Sequence, residues 1–272
     1  IYDNNAAEVS DNVVVTTEAA AQVGNAGFEE WTTERITIKV QLSDDRQLDW
    51  YLPYNSISNN WWAVTSKRSI VTNILATTET CVKSFPTVAY SPQEFTQEFT
   101  QEFTQGNISA HVYSVNVGKY NTDLTPNSMF GHDDKTYVGE LFIGTADDSG
   151  NHSSDGHSFA SRPDKFSFKY KYTPVKNEKF YVEILFKDAS GNVLFSKIDK
   201  DGAPASDWMT YNCDLNWEDL SKKVSSIYIC FKSTSSDSPQ VVNASTIEVA
   251  GQNFTGHFGS SLYIDDIQMI YE

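Results

Sequence analysis

Cysteine, basic charge, long apolar runs and helical periodicity are all scarce in this 272-residue chain, and each scarcity removes a class of answer. Three cysteines, Cys81, Cys213 and Cys230, are too few and too scattered for a disulfide framework and have no metal-ligand spacing. Cys230 sits inside the apolar run "SSIYICFKS", the setting of a buried, inert thiol. Twenty basic residues against thirty-six acids leave a formal charge of -16, which repels phosphate backbones, so nucleic acid is not expected as a partner. No apolar stretch approaches the roughly 18 residues of a membrane-spanning helix, and no basic-then-apolar leader opens the sequence. A Gly-x-Ser-x-Gly elbow, a Gly-rich phosphate loop and a Cys with a suitable His context are also missing, so no catalytic residue is assigned.

What the chain has in abundance is alternation. "KFSFKYKYT" sets Phe166, Phe168, Tyr170 and Tyr172 on one face, opposite Lys165, Ser167, Lys169 and Lys171. "KFYVEILFKD" does the same with Phe180, Val182, Ile184 and Phe186, and "SSIYICFKS" with Ile227, Ile229 and Phe231. "ERITIKVQL" and "RQLDWYL" flank the turn residues Ser43 to Asp45 as a hairpin. Around ten strands and almost no helical period predict an all-β chain, an antiparallel two-sheet β-sandwich or jelly roll. Residues 1–22 mix acids, Asn and Ala and read as a linker or the remnant of an upstream segment, leaving 23–272 as the domain.

One stretch breaks the pattern. "SPQEFTQEFTQEFTQG", residues 91–106, carries the unit QEFT three times. Ser91 and Glu94 form a capping box, Pro92 takes the first helical position, and Gly106 follows the last unit where a left-handed cap is wanted. Phe95, Phe99 and Phe103 then share one stripe, so the segment is expected to be a short inserted structural helix docked on the sandwich.

Candidate functional residues are few. Trp61 and Trp62 are neighbours in an expected strand, so one faces the core and the other faces out as a sugar-stacking platform, with Tyr51, Tyr54 and Trp50 close by in "DWYLPYNS". The acid doublets Glu29-Glu30 and Asp265-Asp266 point to opposite faces of their strands, so neither is a catalytic pair by itself. His152, Asp155 and His157, with Asp147 and Asp148, have no ligand spacing that fits a known metal frame and read as a solvated polar loop.

The two ends and the interior together resemble a known family. "GNAGFEEW" and "GSSLYIDDIQM" are similar to the entry and exit strands of jelly-roll carbohydrate-binding modules. "YVGELFIG", "RPDKFSFKYKYTP", "YVEILFKDASGNVL", "DWMTYNCDLNW" and "IYICFKSTSSDS", in that order, resemble the "putative carbohydrate metabolism domain" of surface lipoproteins from gut Bacteroidetes. The resemblance runs over residues 24–272, strongest from Tyr137 on and weak over 32–105, where the "ERITIKVQL" hairpin and the QEFT repeat read as insertions. It implies a jelly roll, export to the cell surface or periplasm, outer-membrane association through an upstream lipid anchor, and a part in carbohydrate use. In such modules a Ca²⁺ ion ties the opening strand to the closing one, and Glu29 with Asp265 or Asp266 hold the matching positions. A non-catalytic glycan-binding or surface-assembly module is therefore expected, with other surface proteins as further partners. The alternative is a glycoside hydrolase or lyase whose carboxylates lie on separate loops.

Overall fold

The computed structural model describes residues 20–39, 45–54, 60–69, 86–90, 106, 108–116, 136–147, 150–249 and 252–272. The described strands are β1 (Thr32–Lys39), β2 (Asp45–Leu52), β3 (Trp62–Val64), β4 (Thr87–Tyr90), β5 (Ser109–Asn116), β6 (Thr136–Tyr137), β7 (Glu140–Ile143), β8 (His157–Ser158), β9 (Lys165–Thr173), β10 (Phe180–Lys187), β11 (Val193–Gly202), β12 (Ala205–Asp214), β13 (Ser226–Lys232), β14 (Val241–Val249) and β15 (Gln252–Ile270). Every pairing among them is antiparallel. Sheet I runs β11-β10-β13-β7-β3, with β8 on β13; sheet II runs β12-β9-β15-β5-β4, with β14 on β15 and β6 on β5. The hairpin β1-β2 stands apart as its own two-stranded sheet. The QEFT segment, with the helix expected there, lies outside the described residues, as does Cys81.

Period-two alternation builds the core between the sheets. Phe166, Phe168, Tyr170 and Tyr172 of β9 meet Phe180, Val182, Ile184 and Phe186 of β10 and Ile227, Ile229 and Phe231 of β13 in one buried cluster. Rings pack edge to face, as with Phe168 on Phe231 at 4.9 Å and Tyr172 on Phe180 at 5.2 Å, the arrangement that aromatic quadrupoles favour. At roughly 1.5–3 kcal/mol for each fully buried apolar side chain, this cluster is the main source of stability.

β15 carries one irregularity that decides where its side chains go. Its register against β9 slips between Asp265 and Gln268, and Asp266 has φ +47°, the left-handed region. Ahead of the slip Leu262 and Ile264 face the core; beyond it the inward residues are Ile267 and Met269. The bulge inverts the alternation, which is why both faces of "YIDDIQM" look partly apolar in the sequence.

Opposite β15, the entry segment plugs the end of the sandwich. Val23 and Phe28 join the core, Phe28 packing on Trp62 with ring centroids 5.1 Å apart. Gln22 exchanges two hydrogen bonds with the Met269 backbone, donating to its carbonyl at 2.6 Å and accepting from its N–H at 2.8 Å. The Ile267 N–H donates to the Ala26 carbonyl at 2.9 Å, inside the bulge. The opening and closing segments are thus joined by backbone and side chain alike.

Residues 144–147 and 150–156 lie by the outer face of sheet I, where Ala63, Phe142, Leu185, Tyr228 and Cys230 form a second apolar cluster. His152 reaches the buried Glu140 carboxylate at 3.2 Å and packs against Phe142 at 4.7 Å between centroids. Asp147 and Asp155 are exposed, as expected of a solvated polar loop, while His152 docks on the sheet, because an imidazole can cover an apolar face and meet a carboxylate at once. Cys230 is fully buried there, and burial pushes its thiol up to about 12, in keeping with an inert role.

Candidate functional site

Of the two neighbouring tryptophans, Trp62 is the inward one. It is fully buried on β3 and its indole N–H donates to the Gly24 carbonyl at 2.8 Å. A ring with no exposed face cannot stack on a sugar, so Trp62 leaves the candidate set. Trp61 is half-buried and stacks on His157 at 3.9 Å and 20°. Gly24 comes so close that a Cβ there would sit 2.3 Å from Trp61 Cδ1. Trp61 is thus engaged by two neighbours rather than standing free.

Tyr51 and Tyr54 part company for a similar geometric reason. On β2, Trp50 and Leu52 point toward the core, so Tyr51 shares the opposite face with Asp49 and, across the pairing, with Thr33 and Arg35. Burial, with the nearby Asp49 charge, raises the Tyr51 hydroxyl. Tyr54 follows the strand and turns back toward sheet I. Its carbonyl accepts from the Thr32 hydroxyl at 2.6 Å and its N–H donates to Leu52 at 2.8 Å.

Trp50 and Tyr54 line a recess of about 150 Å³ where the hairpin meets sheet I. Asn60, Thr145, Asp147 and Gly150 line it too, with Leu52, Ala63 and Val64. The Asn60 carboxamide oxygen is buried and has no hydrogen-bond partner. Asp147 turns both carboxylate oxygens to Asn151, accepting from its N–H at 2.9 Å and its side-chain amide at 3.1 Å. Two aromatic rings beside an unpaired acceptor are the ingredients of a hydroxyl-rich ligand site.

The acid doublets meet at the Gly27 turn, close to the recess, since the Asn25 side-chain amide donates to the Pro53 carbonyl at 3.0 Å. A Cβ on Gly27 would lie 3.8 Å from one Asp265 oxygen and 4.0 Å from one of Asp266, so both carboxylates border the same turn. Glu29 accepts from the Ile108 N–H at 3.1 Å. Burial, then the charges of Asp266 and Glu29, push the Asp265 carboxyl up to about 7, although the Asp266 N–H donates to it at 2.8 Å. The crevice beside them holds about 440 Å³ and is lined by Gln22, Asn25, Gly27, Glu29, Glu30 and Asp266, among others. Among the described residues no three His, Cys, Asp or Glu side chains converge as metal ligands. A Ca²⁺ ion here would therefore draw most of its six to eight oxygens from backbone carbonyls and water, which its chemistry permits.

Residue types alone did not reveal Asn60 or Glu140, and they placed Asp147 only in a polar loop. Glu140 is the most densely partnered carboxylate described: Lys232 lies at 3.2 Å, His152 at 3.2 Å and Arg68 at 3.7 Å. Burial alone would raise its pKa, yet the His152 hydrogen bond and the Lys232 charge hold it below the ordinary range. The signal was present, since Glu140 is the one acid in "YVGELFIG" and Lys232 ends the apolar run of β13.

No protein-family model and no curated protein matches the chain. Among solved structures it is similar to a "putative glycoside hydrolase" from Bacteroides thetaiotaomicron, at 14% identity and TM-score 0.49, over 94% of this chain and 72% of that one. It is also similar to a "putative glycoside hydrolase" from Bacteroides vulgatus, at 16% identity and TM-score 0.48, over 90% of this chain and 97% of that one. A carbohydrate-binding module in complex with β-1,4-galactotriose follows at 11% identity and TM-score 0.35, over 92% of this chain and 97% of that one. Identities this low leave function to the residues themselves.

Proposed function

We propose that this chain is a non-catalytic glycan-binding module of the carbohydrate-metabolism kind that its sequence resembles. The observation that carries the reading is the recess of Trp50 and Tyr54 beside the partnerless Asn60 oxygen. Apolar ring faces match the C–H faces of a sugar, and acceptors match its hydroxyls. Neither Glu140 nor Asp265, the buried carboxylates, lines this recess. A structural Ca²⁺ between Glu29 and Asp265 or Asp266 belongs to the same reading. The resemblance also supports export, where such a module meets extracellular polysaccharide.

A glycan array on the purified chain tests the reading. Binding without product release is expected, and Trp50→Ala or Tyr54→Ala should weaken it about tenfold or more, a loss of roughly 1.4 kcal/mol. Release of reducing sugar from any bound glycan would replace this reading with the hydrolase or lyase alternative.

A further inference from the structure

Resting on the glycan-binding reading, we infer that the recess beneath the hairpin takes one sugar ring at the end of a neutral glycan, with Asn60 as the residue that selects it. Three features of the recess lead there.

Size comes first. A volume of about 150 Å³ is well short of the roughly 300–1,000 Å³ of sites that swallow drug-sized ligands. At about 30 Å³ per water it holds on the order of five waters, room for one ring and not for a row of them.

Chemistry comes second. The Asn60 carboxamide oxygen is buried and partnerless, a state that costs about 1–3 kcal/mol until a donor arrives. Asp147 lines the same recess with its two oxygens taken up by Asn151, and among the described residues no Lys, Arg or His lines it. The Asn60 oxygen asks the ligand for a donor, which a hydroxyl supplies, and the Asp147 charge disfavours carboxylated or sulfated sugars. The chain's formal charge of -16 acts in the same direction.

Shape comes third. Trp50 and Tyr54 both pack on the core, so the rings that line the recess are held in place for stacking. A ring that stacks there turns one edge to Asn60, and the rest of the glycan leaves toward solvent.

Calorimetric titration with the methyl glycosides of glucose, galactose, mannose and xylose, and with β-1,4-linked oligomers of each, tests this. At least one methyl glycoside should bind, with an affinity within about threefold of its longest oligomer, since added rings make no new contact. Asn60→Ala should weaken binding about tenfold, whereas Asn60→Asp, which keeps an acceptor, should restore most of it. Trp208→Ala removes a half-buried ring on the outer face of sheet II, under Lys171, and should change nothing. Affinity that climbs more than about tenfold with chain length, or that follows Trp208 while folded Asn60→Ala binds normally, overturns the inference but leaves the glycan-binding reading standing. Silence from every sugar overturns both.

Discussion

Asp265 and His111 both belong to sheet II, and each is held away from its ordinary protonation equilibrium in the opposite sense to the other. His111 is fully buried, faces Tyr90, Tyr113, Tyr263 and Ser261, and burial depresses it to about 3. Between that value and its unfolded 6.5 the unfolded chain binds more protons, so this histidine makes stability rise with pH. Asp265 is raised from 3.8 to about 7, so between those values the folded chain binds more protons and stability falls as pH rises. The windows overlap from about pH 4 to 6.5, and the wild-type profile in chelator should be shallow there. His111→Gln should expose the falling slope and Asp265→Asn the rising one, each worth on the order of 2–4 kcal/mol across the window. Urea midpoints at three pH values with an unchanged m-value check this; two variants with the wild-type profile would refute it.

Strands were legible wherever alternation ran unbroken. β9, β10 and β13 bury the residues that their pattern singles out, because a two-sheet core rewards period two directly. The hairpin β1-β2 was equally plain from its flanked turn. β15 was not, since a single left-handed residue at Asp266 exchanges the two faces midway and no residue type announces it. Trp50 and Tyr54 could be picked out as aromatics near one another, but Asn60 and Asp147 come from separate loops that only the closed sandwich brings together. The bulge can be tested on its own. Asp266→Gly keeps the left-handed conformation at no steric cost and should leave the melting temperature nearly unchanged, whereas Asp266→Val should cost about 1–3 kcal/mol, because a β-branched residue resists positive φ. Equal melting temperatures for the two would mean that the bulge is not held at this residue.

At the scale of the whole molecule the two chain ends are already tied by Gln22 to Met269, by Ala26 to Ile267 and by the Tyr271 hydroxyl to Ala21. Burial raises the Asp265 carboxyl first, and the repelling charges of Asp266 and Glu29 at this junction raise it further. A divalent cation is the natural remedy, because it replaces mutual repulsion with shared attraction and displaces the proton that Asp265 otherwise keeps. A ligand that binds only the folded chain stabilises it by RT ln(1 + [L]/Kd), about 2.7 kcal/mol at a hundredfold excess over Kd. For a chain of this size that corresponds to a rise in Tm of roughly 5–10 °C over the value in chelator. The rise should be larger at pH 7.5 than at pH 5.5, since at the lower pH Ca²⁺ competes with a proton on Asp265. Glu29→Gln should shrink it, by removing one carboxylate from the junction. Identical melting curves in millimolar Ca²⁺ and in chelator at both pH values would show that the ends are held by their hydrogen bonds alone.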